Sequence, residues 1–259
     1  MTQAEFERWS VYLSAAIDAG LLVQLIRYRL TRRYGWLFAY FLAAAIQISV
    51  GVAISTYSIW YGYIYFGGQA VKVLLGAALA ISLWKLALLG YPALARFGRQ
   101  IVTYVFLAAI VAAAAGLLVQ PATAAGQNPK MHWAQAIEGT ADATVLGFLV
   151  VEALFLLWFP VKVHRNVAIC IGGFVFYWFQ RWAGLLLVNL FPKSSHAFSE
   201  TMVALSLACL ILWIAAIRPE GEIATTVTGH RWNPAETQRL LGQLRAINTF
   251  LERMARRGR

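Results

Sequence analysis

Charge is scarce in this 259-residue sequence: 13% of its residues are Asp, Glu, Lys or Arg, about half the share of a typical soluble domain. Acidic residues are the scarcer kind, 11 against 22 Lys and Arg, giving a formal net charge of +11. Cysteine occurs only as Cys170 and Cys209, both inside apolar runs. That leaves no disulfide framework and no cysteine metal motif, and both read as buried, inert thiols. The four histidines, His132, His164, His196 and His230, lie outside the centres of the apolar runs, which argues against a bis-histidine haem inside a membrane. HExxH, GxSxG and Walker A patterns are missing, and with them the usual placements of zinc, a serine nucleophile or a nucleotide phosphate. The opening MTQAEFERW carries Glu5 and Glu7 and no basic region before its first apolar run, so it does not read as a secretory signal.

What is present is apolar. Hydrophobic residues make up 60% of the chain and the mean hydropathy is +0.63, which excludes a disordered chain, a nucleic-acid-binding domain and an ordinary cytosolic enzyme. A bilayer core about 30 Å thick needs roughly 20 residues of helix at about 1.5 Å each. Seven stretches approach that length: Trp9–Tyr28, Trp36–Ile54, Gln69–Leu89, Ile101–Val119, Ile137–Phe159, Val167–Phe191 and Phe198–Ile217. The third could begin earlier, within the aromatic segment Tyr61–Phe66. The expectation is an all-α, polytopic bundle of seven transmembrane helices over residues 1–217.

Basic residues set its orientation. Arg27, Arg29, Arg32 and Arg33 fall in the first connection, Arg96 and Arg99 in the third, Lys162 and Arg165 in the fifth, and Arg218 opens the tail. Arg8, Lys130 and Lys193 are the sparse counterparts on the other side, joined by Lys72 if the third helix starts late. Odd connections and the tail are thus expected in the cytoplasm and the N-terminus outside, in an inner membrane. Trp36, Tyr57, Trp60, Tyr61, Tyr63, Trp133 and Trp158 sit at the expected interfaces, where amphipathic rings settle at headgroup level.

Some charges fall inside the spans. Asp18 and Arg181 reach similar depth when helical rise is counted from each end, and so do Glu152 and Lys85. An intramembrane charge seeks a partner, a bundle interior or a route to the surface, so two cross-helix ion pairs are expected. The plainer reading is a packing lock; the functional one is an ion path or polar ligand pocket. A second group gathers at the outer rim, where Glu138 and Asp142, and His196 and Glu200, are spaced i,i+4 near helix starts, with His132 in the loop before the fifth stretch. Such pairs share a helix face and could take a divalent cation or respond to pH, although acidic residues also favour helix N-termini for electrostatic reasons alone. Residues 174–182 are dense in aromatics, a pattern that packs a core or faces lipid more often than it stacks on a ligand. Ala108, Ala112 and Gly116 repeat every fourth residue and suit close helix approach.

After Ile217 the composition turns polar. Residues 218–232 read as a cytoplasmic linker, and 233–259 as a basic amphipathic helix opened by Asn233-Pro234. Leu240, Leu244, Ile247, Leu251 and Met254 form its stripe, widened by Leu241 and Phe250, with Arg239, Arg245, Arg253, Arg256 and Arg257 behind. That stripe fits a lipid interface with anionic headgroups or docking under the bundle; two heptads are short for a dimer with a second copy. The seven-span, N-outside arrangement matches that of a rhodopsin by analogy only, since its last stretch has no Lys for a retinal Schiff base. No cofactor is called for and no nucleic-acid partner. The expected role is a non-enzymatic, sensor-like or assembly component that works with a partner membrane protein. The alternatives are a small transporter or channel using Asp18, Arg181, Glu152 and Lys85, and a membrane-embedded enzyme or metal site at the rim.

Overall fold

The computed structural model describes residues 3–54, 59–96, 129–159, 161–190, 195–227 and 234–257, with isolated positions between 100 and 111. Its long helices are α1 (Gln3–Arg27), α2 (Gly35–Ala53), α3 (Ile59–Ala87), α4 (Pro129–Trp158), α5 (Arg165–Leu190), α6 (Ser195–Ala216) and α7 (Pro234–Arg257). Four of them carry stretches long and apolar enough to cross a membrane: Trp9–Arg27, Gly35–Ala53, Gly62–Ala87 and Gly139–Trp158. The chain is thus an all-α, multi-pass membrane protein. The run at 101–119, with its Ala108, Ala112 and Gly116, falls almost wholly outside the described residues. Three helix starts fall well before the expected stretches, α1 at Gln3 rather than Trp9 among them, and the earlier α3 start is the alternative already open. α3 starts at Ile59 and absorbs the aromatic segment; α4 starts at Pro129, where Pro suits a first helical turn that needs no N–H, so the supposed rim loop before residue 137 is partly helix.

The six helices α1 to α6 pack in a ring, each against the next and α6 back against α1, with α3 also touching α5 across the middle. In hydrocarbon, apolar contact between helices gains little over contact with lipid, so close packing and buried polar links hold such a bundle together. The closure of the ring shows both. Gln24 of α1 donates from Nε2 to the carbonyls of Ile214 (2.9 Å) and Ile217 (2.7 Å) at the end of α6. Those carbonyls belong to the last turn, where no helical N–H remains to meet them.

The centre of the ring is aromatic. Tyr40 and Phe41 of α2, Phe174, Tyr177 and Trp178 of α5, and Trp213 of α6 interlock, with Phe174 and Trp213 centroids 4.5 Å apart and Phe41 edge-on to Trp213 at 5.5 Å. A Cβ at Gly173 would collide with the Trp213 indole, so only glycine lets α6 come this close. The aromatic density at 174–182 is therefore divided: Phe174 and Trp178 are core, Phe176 and Phe179 are exposed. Among the interfacial aromatics, Trp36, Tyr63 and Trp158 are exposed.

At the arginine-rich end the connections fold into a cap. β1 (Lys162–His164) pairs antiparallel with β2 (Thr225–Val227), in the register Val163 to Thr226. Val163 is buried while Lys162 is exposed, the alternation of a strand with one covered face. A 3-10 turn at Pro219–Glu222 leads into β2. The segment read as linker is thus a docked part of the cap up to Val227.

Candidate functional site

Three polar sites are built into this frame. The first lies within the ring, toward the end where α1, α3 and α4 begin. Asp142 of α4 is 0% exposed and accepts a hydrogen bond from Arg181 Nε of α5 in an ion pair. Arg181 also donates from Nη2 to Gln69 Oε1 of α3 at 3.1 Å, and its guanidinium lies 5.7 Å from the Trp178 ring centroid, within cation–π range. Lys72, one turn beyond Gln69, acts electrostatically on both Asp142 and Asp18. Asp18 is buried in α1.

This revises the expected pairing. The guanidinium expected opposite Asp18 is bonded to Asp142, and Asp18 instead feels Lys72. Depth counting does not identify the partner, because helical rotation also decides which carboxylate faces the cation. Asp142 likewise leaves the proposed rim: α4 begins well before it and carries it into the ring. Of the other rim residues, Glu200 is exposed, and the side chains of His132, Glu138 and His196 lie outside the described residues. Among the described residues, no group of three His, Cys, Asp or Glu side chains could hold a metal ion.

The second site is Glu152. It too is 0% exposed, and neither carboxylate oxygen has a hydrogen-bond partner among the described residues. Lys85, its expected partner, is exposed, so the second pair does not form. Similar depth again fails to give facing sides.

The third site is the cap, which sequence reasoning missed. Glu222 Oε1 accepts from the Tyr34 hydroxyl (2.7 Å) and from Asn166 Nδ2 (2.7 Å), and Arg33 Nη1 lies 2.8 Å from Oε2. Asn166, fully buried, also donates to the Arg218 carbonyl at 2.8 Å. Its amide fills the space a Cβ on Gly221 would need. Burial, and then the bond to Glu222, pushes the Tyr34 phenol above the ordinary tyrosine range. The legible signals were the Val-Lys-Val-His and Thr-Thr-Val alternations, too short to stand out beside helices.

α7 lies against this end. Asn248 Oδ1 accepts from the backbone N–H groups of Ala93 (3.0 Å) and Leu94 (3.3 Å), in the helical turn at 92–96. It supplies from another helix what an N-cap side chain supplies from its own. Along the stripe, Leu244 is buried, Leu240 and Leu251 are half-buried, and Ile247, Phe250 and Met254 are exposed. No family model, no curated protein and no solved structure matches the chain.

Proposed function

We propose that the chain is a seven-span protein of a bacterial-type inner membrane, with its N-terminus outside and its arginine-rich end in the cytoplasm. Four apolar spans, two further helices closing the same ring, and the lopsided arginines of the connections support this reading. The role within it is non-catalytic: a sensor-like or assembly component whose inner face ends in α7.

The observation that carries this role is the posture of α7. One edge is held to the bundle through Leu244 and Asn248, while Ile247, Phe250 and Met254 face away, and Arg239, Arg245 and Arg253 are exposed. A helix so placed beds its free apolar edge in the acyl boundary and sets guanidinium groups among anionic headgroups. Purified in native lipid and weighed intact by mass spectrometry, the protein is expected to retain anionic lipid. The double change Arg245→Gln and Arg253→Gln is expected to lose it. Equal retention by both chains, or neutral lipid alone, overturns the lipid role. The same spectra separate a homodimer from a complex with another membrane protein. Orientation is tested by Gln3→Cys and Arg253→Cys: an impermeant maleimide on intact cells should reach the first only.

A second reading, a small transporter or channel, draws on the convergence of Arg181, Asp142, Gln69, Lys72 and Asp18 inside the ring. Reconstituted vesicles that pass ions in the parent and not in Arg181→Met would favour it.

A further inference from the structure

Glu152 stands six residues before the end of α4 at Trp158, about 9 Å along the helix axis. α3 packs against this stretch of α4. Trp84 packs at a tilt between Phe148 (centroids 6.1 Å) and Phe155 (5.2 Å), the two residues one turn to either side of Glu152 on the same face of α4. Trp84 is buried, and its Nε1, like both Glu152 oxygens, has no hydrogen-bond partner among the described residues. The described elements packed on α4 are α3 and α5, and their described charged groups are placed elsewhere. Lys85 and Arg165 are exposed, Arg181 holds Asp142, and Lys72 acts on Asp142 and Asp18. Cys170 of α5 lies in the field of Glu222.

A carboxylate with neither cation nor donor in an apolar interior is far costlier than the neutral acid. We propose that Glu152 is a proton-exchange site: a carboxylic acid that keeps its proton while Trp84 and α3 close over it, and releases it when the seam between α3 and α4 parts. On release the acid O–H bond breaks, the proton passes to a water molecule, and the carboxylate is solvated by the water that has entered. Reclosure requires the reverse. The ligand of this site is the proton, and its occupancy is tied to whether the ring is shut. The site rests on geometry independent of α7 and of the direction in which the chain crosses the membrane, so either proposal can fail alone.

The test uses the full chain in native membranes. Dicyclohexylcarbodiimide adds to a protonated carboxyl group in apolar surroundings: the acid proton goes to a carbodiimide nitrogen, the oxygen bonds the central carbon, and an acyl shift leaves a stable N-acylurea. Peptide mass spectrometry is expected to find the adduct on Glu152, at a rate that falls as pH rises, and no adduct at this position in Glu152→Gln. Infrared spectroscopy of the parent chain, which needs no variant to fold, is expected to show a carboxylic-acid C=O stretch that shifts in D2O. Absence of both adduct and band overturns the proposal. A band that never shifts in D2O marks a sealed acid and overturns the exchange. Protection of Glu152 by sodium at fixed pH assigns the site to a metal cation and overturns it as well.

Discussion

Asp142 and Glu152 sit on one helix, ten residues and roughly 15 Å apart, and both are completely shielded. One has a guanidinium bonded to it and a lysine acting on it; the other has neither among the described residues. The contrast shows that burial alone does not say what a carboxyl group is for. A paired carboxylate ties two helices together and resists change, whereas a lone acid is free of any fixed partner and open to exchange. Glu222, at the cap, is a third case: Arg33 and Tyr34 from one segment and Asn166 from another meet it at a half-buried position.

Arg181 is where the difference can be undone most directly. Arg181→Met strands Asp142 without its partner, and about 3–5 kcal/mol of stability should be lost, read as a large fall in thermal midpoint in detergent. Combining it with Asp142→Leu should restore much of that loss, because a buried pair and its apolar replacement differ less than a pair and a half-pair. Glu222→Ala should come next, at about 2–4 kcal/mol, from two short hydrogen bonds to a charged acceptor. The Arg33 pair adds little to that sum, since Arg33 is 32% exposed and solvent screens it. Limited proteolysis within 219–227 should then accelerate.

Tyr34 probes the cap through pH. An unfolded tyrosine ionises near pH 10.0, and the folded phenol does so higher. The stabilisation from the neutral hydroxyl is therefore complete below about pH 10 and is lost as pH climbs toward the folded value. Tyr34→Phe should lower stability at pH 8 by about 1–3 kcal/mol and flatten its alkaline decline; an unchanged slope in denaturant titrations above about pH 10 would remove Tyr34 from the cap's account. The smallest effect should be Glu152→Gln. Its amide has nearly the shape of the neutral acid, so the thermal midpoint should move by less than about 1 kcal/mol equivalent, against a much larger cost for Asp142→Asn beside Arg181. Equal losses for the two would erase the distinction between them.

Much of the fold was legible in apolar run length. The stretches at 9–28, 36–54, 167–191 and 198–217 lie within a few residues of α1, α2, α5 and α6 at most of their ends, because about 20 apolar residues have few other ways to bury their backbone polar groups. The partners of the charges were not legible. Asp142 reads as near a helix start because the Pro, Gly and Asn content before residue 137 looks like loop, yet α4 already begins at Pro129. Lys85 and Glu152 match in depth but not in rotation, a variable that hydropathy does not encode. The cap escaped because its contacts join residues 33–34, 166 and 222, each ordinary in its own neighbourhood. Asn248 is one of three amides on α7, beside Gln238 and Gln243, and the N–H groups it accepts from, those of Ala93 and Leu94, lie 155 and 154 residues away.

The latch by which Gln24 meets the carbonyls of Ile214 and Ile217 spans 190 and 193 residues of sequence. At ribosomal speeds of about 5–20 residues per second, α1 must wait on the order of 10–40 s for the helix that completes it. During that interval the Gln24 amide has no native acceptor, so α1 needs an escort at the insertion machinery until α6 has been made.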